Sequence, residues 1–560
     1  MKLIYLYSGL LFSMLLLSRD ATDFNYRFAD NGRMHYQTVA GNQDRFDVQI
    51  AYDAMNAIVM TSIENIDDLD RITLMKFTEL GVIDTSFGTA GKVILPIGRD
   101  PEVHGIAIQP NDNSIFIVGA ITLESYRYAF LMNINEDGSM NSNFGNEGIV
   151  IIPSEQFALA RALWVNAKTQ TIFVAGDSGI NGFIASYYFD GTTNTKFGSL
   201  VEDNQRNGIL FFNDPFLHAS FVKITIDEDN KILGIIHLFN PVNNEESMEV
   251  IRYQSNGTVE KIFEQLLPQG ATRVLGKDIT VQPYNDNVLV SGIIDNAIFT
   301  AQWKPNGKLD TYFGDRVAAG QALRRGYTLF TPENADSVNA YQIVYELDER
   351  ISVLGSYTQD ERQHPLWFHY SRYGILDNSF GEQNEENISQ KLGYFIIEQQ
   401  GESLQLLTMK IKPGNQNNII AGLSINDDTE DESFIIFDYL GLQATIEYNK
   451  GQNGIKNKKN VYGKNPRFLS DFLQIDSMTT QFSSIDLQNW LQQQIGLEIT
   501  DFISNLQGVE STNYIMNANL LLSPLAKIER QAISQYPSLA NQIRIFFLQL
   551  RRKIKRLAQQ

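Results

Sequence analysis

Short apolar runs separated by turn chemistry fill most of the chain. The clearest stretch reads Lys92–Ile97, Val103–Gln109, Ile115–Ala120 and Tyr128–Ile134, with Pro110-Asn-Asp-Asn113 as a turn between the second and third runs. The same scheme returns near residue 400 as Tyr394–Glu398, Leu404–Ile411, the turn Lys412-Pro-Gly-Asn415, Ile419–Leu423 and Ser433–Tyr439. Runs of this length, bounded by Gly, Pro, Asn and Asp, predict short strands that pair antiparallel. Ile115-Phe-Ile-Val118 and Phe434-Ile-Ile-Phe437 are apolar at consecutive positions, which predicts burial on both faces of the sheet.

The runs repeat with a fixed period. Gly81-Val-Ile-Asp84-Thr-Ser-Phe87-Gly88 recurs as Gly138-Ser-Met-Asn141-Ser-Asn-Phe144-Gly145 and Gly191-Thr-Thr-Asn194-Thr-Lys-Phe197-Gly198. It returns as Gly307-Lys-Leu-Asp310-Thr-Tyr-Phe313-Gly314 and Gly374-Ile-Leu-Asp377-Asn-Ser-Phe380-Gly381. Worn copies stand at Gly257, with Phe263 kept, and at Gly441, where the Phe is lost; Gly81 to Gly441 spans six intervals with a mean of 60 residues. A second mark keeps the same period: the apolar runs ending in Gly119, Gly176, Gly292, Gly355 and Gly422, with Ser62 and Ile236 in the same phase. Two features sharing one period identify an internal repeat. A further copy of the leading edge, Asn25-Tyr-Arg-Phe28-Ala-Asp-Asn-Gly32, places the start of the array near the N-terminus.

Seven units of four strands, each sheet covered by its neighbours, predict a closed β-propeller, which typically has 4–8 blades. An open array would leave two apolar end faces that need caps. Within the motif, the Asp or Asn predicts an Asx-turn, the Phe an anchor between adjacent blades, and the following Gly a positive φ. The mid-strand glycines predict a bulge or a close backbone approach. An Asp/Asn ring holding calcium is the alternative for the acidic position, although an EF-hand-like ligand series is absent.

The Gly-x-apolar-Asp-x-x-Phe-Gly signature, its period and its place behind an apolar N-terminal segment resemble the delta-60 repeat family of exported, propeller-like bacterial proteins. The resemblance covers about residues 22–450 and departs at the two worn copies. It implies fold and export and carries no common activity.

The ends of the chain read differently. Lys2 precedes an apolar run from Leu3 to Leu17 that is shorter than a bilayer core requires, so residues 1–21 read as a secretory signal peptide, with an uncleaved anchor as the alternative. This sets the expected organisation as signal peptide (1–21), seven-unit propeller (22–460) and a small α-helical C-terminal region (464–560), in a protein secreted or held in the cell envelope. Residues 464–560 hold ten Lys+Arg against seven Asp+Glu, while the whole chain has a net charge of −20. Ile543, Phe547, Leu550, Ile554 and Leu557 form one helical stripe flanked by Arg544, Arg551, Arg552, Lys555 and Arg556. The stripe predicts docking on the propeller, a partner site or weak contact with a membrane surface.

Composition narrows the function. The acidic balance argues against nucleic acid, and a chain without cysteine has no disulfide, thiolate zinc site or cysteine nucleophile. His364 and His369 are five apart on one strand and face opposite sides; His35, His104, His218 and His237 lie in different units or elements and read as ordinary histidines. Arg316, Arg324 and Arg325 sit in the long insertion of unit five to six, bracketing Ala and Gly, and are an anion-site candidate with a solvated loop as the alternative; Asp427–Glu432 reads as a solvated acidic loop. No catalytic, cofactor-binding or metal-binding residue is assigned, and no cofactor is expected. The reading is a noncatalytic binding or interaction scaffold with an unknown protein or glycan ligand and unknown oligomeric state. The alternative is a propeller enzyme acting on carbohydrate, of lyase or glycoside hydrolase type, with paired carboxylates at one mouth of the channel.

Overall fold

The computed structural model describes residues 27–439 except 31, 38–47, 96, 154–156, 202–204, 284, 319–322, 347–348, 383–390, 399–401, 412–417 and 427–431. Beyond them it describes Leu491, Leu525, Ile528, Ala532, Tyr536, Ile543 and Phe547. The chain divides into two compact units, Met1–Val281 with Asn287–Asn449, and Gln282–Asp286 with Lys450–Gln560. In the second unit six of the described residues are helical and buried, Ile543 and Phe547 of the basic stripe among them. The rest of the predicted helical region and the predicted signal segment lie outside the described residues.

The first unit holds seven four-stranded antiparallel sheets. Each blade runs from an inner strand to an outer one. The first strand described is β1 (Arg33–Gln37). The inner strands of blades 1 to 7 are β2 (Gln49–Tyr52), β6 (Arg99–Ile108), β10 (Ala158–Asn166), β14 (His218–Ile226), β18 (Val274–Val281), β22 (Ser337–Tyr345) and β26 (Glu402–Ile411). The second strands are β3 (Ile58–Ile66), β7 (Ile115–Leu123), β11 (Thr171–Ser178), β15 (Ile232–Asn240), β19 (Val288–Ile294), β23 (Ile351–Gln359) and β27 (Asn418–Asn426). The third are β4 (Leu69–Phe77), β8 (Tyr126–Ile134), β12 (Asn181–Tyr188), β16 (Glu245–Tyr253), β20 (Ala297–Trp303), β24 (Arg362–Tyr370) and β28 (Glu432–Tyr439). The outer strands of blades 1 to 6 are β5 (Lys92–Leu95), β9 (Ile149–Ile151), β13 (Ile209–Phe212), β17 (Val259–Ile262), β21 (Tyr327–Phe330) and β25 (Tyr394–Ile396).

The outer strand of blade 7 is β1, which pairs with β28 through Met34↔Ile436 and its neighbours. Each inner strand abuts the next, and β26 abuts β2, so the ring is closed. This arrangement shifts the boundaries read from the sequence. Lys92–Ile97 is not the first strand of the unit that follows it but supplies the outer strand of blade 1, because Lys92–Leu95 pairs with Ile72–Met75. Each sequence unit therefore straddles two blades, and the extra motif copy at Phe28 is the piece that closes the ring.

Seven apolar layers lie between adjacent blades, and each contains one motif phenylalanine: Phe28, Phe87, Phe144, Phe197, Phe263, Phe313 and Phe380. Phe197, for example, meets Phe173 edge-on at 5.5 Å between ring centres and shares its layer with Ile236 of the next blade. The following residue bonds across the interface. Gly88 N–H donates to Asp137 O (2.8 Å), Gly145 to Asp190 O (2.9 Å), Gly198 to Asn256 O (3.1 Å) and Gly314 to Tyr373 O (2.8 Å). These glycines take φ of +54°, +53°, +100° and +83°, as the motif predicts.

The Asp or Asn of the motif closes an Asx-turn two residues ahead, as from Ser86 N to Asp84 Oδ1 (3.1 Å) and from Tyr312 N to Asp310 Oδ1 (3.1 Å). The Ser86 hydroxyl, also bonded to Asp84, holds that carboxyl below its usual range. The motif residue also clasps the residue eight positions earlier, near the end of the third strand. Asn141 Nδ2 donates to Asn133 Oδ1 (2.7 Å), Asn194 Nδ2 to Ser186 Oγ (3.0 Å), and Gln302 Nε2 to Asp310 Oδ2 (2.8 Å).

Candidate functional site

Six inner strands carry a one-residue bulge at the same height. The register slips at His104, Arg161, Val222, Lys277, Tyr341 and Leu407. Opposite the bulge stands the mid-strand glycine. A Cβ on Gly355 would fall 2.7 Å from Asn339 O, and Cβ atoms on Gly119, Gly176, Gly292 and Gly422 would fall closer still to Glu102, Leu159, Leu275 and Gln405 carbonyls. The glycines therefore admit a carbonyl that the bulge turns across the sheet. Blade 4 keeps the bulge with Ile236 opposite it.

The bulges lie toward the end of the ring formed by the hairpins between second and third strands. Two clefts open on that face among the described residues. The larger, 300 Å³, lies between blades 5 and 6 and is lined by Lys277, Arg273, Asn339, Tyr341, Ser356 and Gln363, with further neighbours. Its hydroxyls and amide form a network: Gln363 Nε2 donates to Tyr341 O–H (2.6 Å) and to Ser356 Oγ (2.9 Å), and the two hydroxyls lie 3.0 Å apart. Asn339 Oδ1 is buried without a hydrogen-bond partner. Lys277 has no ion-pair or hydrogen-bond partner among the described residues, and burial, then the nearby Arg273, push its ammonium below the usual lysine range.

The second cleft, 160 Å³, is lined by Arg161, Asp177, His218, His237, Glu246 and Phe239, among others, and by Leu275. Leu275 and Lys277 are two positions apart on β18, so this strand is the wall between the clefts. Two carboxylates line the second cleft, and both are engaged. Asp177 Oδ1 takes Arg161 Nε (2.6 Å) and Ser220 Oγ (2.7 Å), while Glu246 pairs with Arg273. His237 is neutral near pH 7: burial pulls its pKa down to about 4, and the neighbouring Lys277, Arg161 and Arg273 add to this. Its Nε2 lies 2.6 Å from Gly276 O, which accepts only, so Nε2 carries the proton.

In the channel, Lys223 of blade 4 meets Asp278 of blade 5 at 3.5 Å. Asp278 also accepts from Ile343 N of blade 6 (3.0 Å), and Gln342 does the same for Met409 N of blade 7 (2.7 Å), so polar side chains cap the free edges of inner strands. Lys410 on β26 feels the charges of Lys223 and Asp278; burial first and Lys223 second lower its pKa to about 8.

The histidines separate as follows. His218 and His237, read from sequence as unconnected, line the same cleft because β14 and β15 pair. His369 is buried against Phe380, and His364 stacks on Tyr357. His104 pairs with Glu102, and His35 is exposed on β1. Of the arginine cluster, Arg324 Nη1 donates to Gly314 O at 2.5 Å, as Arg206 does to Gly198 O in blade 3, and Arg316 and Arg325 are exposed. The acidic loop lies outside the described residues, apart from Glu432 at the start of β28.

No protein-family model and no curated protein matches the chain. Among solved structures it is similar to the Dos1 propeller (8% identity, TM-score 0.40, covering 73% of this chain and 87% of that one). It is also similar to polysaccharide lyase Uly1 (10%, TM-score 0.40, covering 76% and 95%). A third similarity is to the structure of Drosophila Plexin A in complex with Semaphorin 1b (8%, TM-score 0.36, covering 72% and 86%).

Proposed function

We propose that the protein is an exported, noncatalytic binding propeller of the delta-60 repeat type, and that its ligand docks on the hairpin face between blades 3 and 6. The observation that carries this reading is the bulge row. It delivers Arg161, Lys277 and Tyr341 from the inner strands of blades 3, 5 and 6 into clefts on one face. Preformed clefts with a few convergent polar groups are ordinary ligand sites.

The carbohydrate-enzyme alternative asks for a carboxylic acid free to hand over a proton beside a second carboxylate. Asp177 and Glu246 share a cleft, but each is bound to an arginine. Among the described residues, the carboxyls that burial raises above their usual range are Asp227, in the turn after β14, and Glu249 on β16, and neither lines either of these two clefts.

The test is a calorimetric screen of soluble glycans and peptides against the full chain and a Lys277→Met/Tyr341→Phe variant, with mass spectrometry of each ligand afterwards. A ligand held by the parent alone and recovered unchanged supports the reading. Conversion of that ligand to product would replace it with the enzymatic one. Export is checked separately, by fractionating the native host and sequencing the N-terminus of the mature protein.

A further inference from the structure

We infer that the two clefts form one continuous site for an acidic polysaccharide, a chain of uronate sugars, with its carboxylate on Lys277. This rests on the binding reading above and names the ligand class.

Three features of the larger cleft specify the ligand. Lys277 is a largely desolvated cation with no hydrogen bond or ion pair among the described residues, and Glu246, the carboxylate whose charge favours it, is already paired with Arg273. A buried charge is costly unless paired, so the cleft is completed by an anion. Arg161 and Arg273, the other cations beside it, are already engaged by Asp177 and Glu246. With Arg161 and Arg273 already matched by carboxylates, the one positive charge left over suits the single carboxylate of one sugar unit better than a doubly charged phosphate.

The remaining lining calls for hydroxyls. Asn339 Oδ1 is an orphaned acceptor, so it needs an O–H or N–H donor from the occupant. Tyr341, Ser356 and Gln363 present hydroxyl and amide groups already oriented by their mutual hydrogen bonds. Ser337 and Thr358 add further hydroxyls. A lining dominated by hydroxyls, amides and two cations, one of them already paired with Glu246, fits a sugar acid better than a peptide, which would ask for larger apolar pockets.

The second cleft continues the site. Leu275 and Lys277, on the shared wall, are two positions apart on β18. That cleft offers Ala219, Leu238, Phe239 and Leu275 beside exposed His218, an apolar surface for the C–H face of the next ring. An oligomer therefore gains contacts that a monomer does not.

Calorimetry on the full chain tests this, with tetramers of galacturonate and of mannuronate and a glucuronate-containing tetrasaccharide as probes, maltotetraose as the neutral control, and monomeric galacturonate. At least one acidic tetramer is expected to bind about tenfold or more tighter than maltotetraose, the usual worth of a charge-assisted bond. Lys277→Met is expected to erase that difference, and His218→Ala to weaken the tetramer while leaving the monomer unchanged. Unaltered melting of both variants excludes misfolding as the cause. Equal binding of acidic and neutral tetramers, no effect of Lys277→Met, or no binding of any acidic probe overturns the inference. In the last case the wider screen still decides whether the face binds something else.

Discussion

Arg252 Nη2 lies 3.1 Å from Glu260 Oε1, eight residues further along the chain. In blades 2, 3 and 5 the same two positions hold Asn133 and Asn141, Ser186 and Asn194, and Gln302 and Asp310, each pair joined by a hydrogen bond. Blade 4, whose motif is worn, has exchanged a neutral clasp for an ionic one and kept the contact.

The clasp is expected to be energetically coupled. Arg252 is nearly buried, so Glu260→Ala leaves a guanidinium short of a partner and is expected to cost about 1–3 kcal/mol. Arg252→Gln with Glu260→Asp installs the blade 5 pair and is expected to recover part of that loss. Urea unfolding of Arg252→Gln, Glu260→Asp and the double variant gives the coupling energy. Strict additivity would mean that the two positions do not act as a unit.

The bulge glycines make a sharper prediction. A methyl group at Gly176 would collide with the Leu159 carbonyl, and backbone on both sides leaves little room to relax. Gly176→Ala is expected to destabilise the ring by about 3 kcal/mol or more, the range of forced overpacking. In blade 1, where β2 and β3 pair without a register shift, Ser62 occupies that position and bonds Thr73 at 2.6 Å. Ser62→Ala there should cost about 1 kcal/mol, the worth of one hydrogen bond. Thermal melts that rank these two variants equally would show that the glycines do not serve the bulge.

The fold was legible because its determinants recur. Phe87 and its equivalents mark every interface, and Gly119 and its equivalents mark the bulges, both at the same period. The phase of the blades was not legible, since a cyclic order of strands does not say which one is innermost; the extra copy at Phe28 held that information, and the pairing of Met34 with Ile436 decodes it. The clefts were hidden for a different reason. Arg161, Lys277 and Tyr341 share a structural position but no residue type, and without the register nothing in the sequence groups them. His218 and His237 are 19 positions apart and meet only because β14 and β15 pair.

Closure by β1 predicts a dependence on the N-terminal segment. Removing residues 1–37 would strip the outer strand from blade 7, bare the edge of β28 and delete Phe28 from its layer. Phe28→Ala alone is expected to cost about 3–5 kcal/mol, as for other buried phenylalanines. The deletion should abolish the cooperative melt, and a synthetic peptide covering residues 22–40 should restore part of it. A truncated chain that melts as sharply as the parent would mean that three strands suffice to close blade 7.

Lys410 gives a prediction whose sign depends on pH. Its folded pKa of about 8 lies below the value of 10.5 for a free lysine, with burial the main cause and Lys223 the second. Between these values the unfolded chain binds the proton more fully than the folded one, so this group's contribution to stability rises with pH from about 8 to about 10.5. Below pH 8 the lysine is charged in both states, and the folded protein bears the whole penalty of holding that charge in the channel. Lys410→Met should therefore stabilise the protein at pH 7, by up to about 3 kcal/mol for a shift of this size. The gain should shrink steadily above pH 8 and be nearly absent at pH 10.5. Chemical denaturation of parent and variant at pH 7, 9 and 10 measures the difference directly, and other groups that titrate in this range cancel in the comparison. A variant less stable than the parent at pH 7, or a gain that does not change with pH, would show that Lys410 is well solvated or paired in solution and that the channel does not press on its charge.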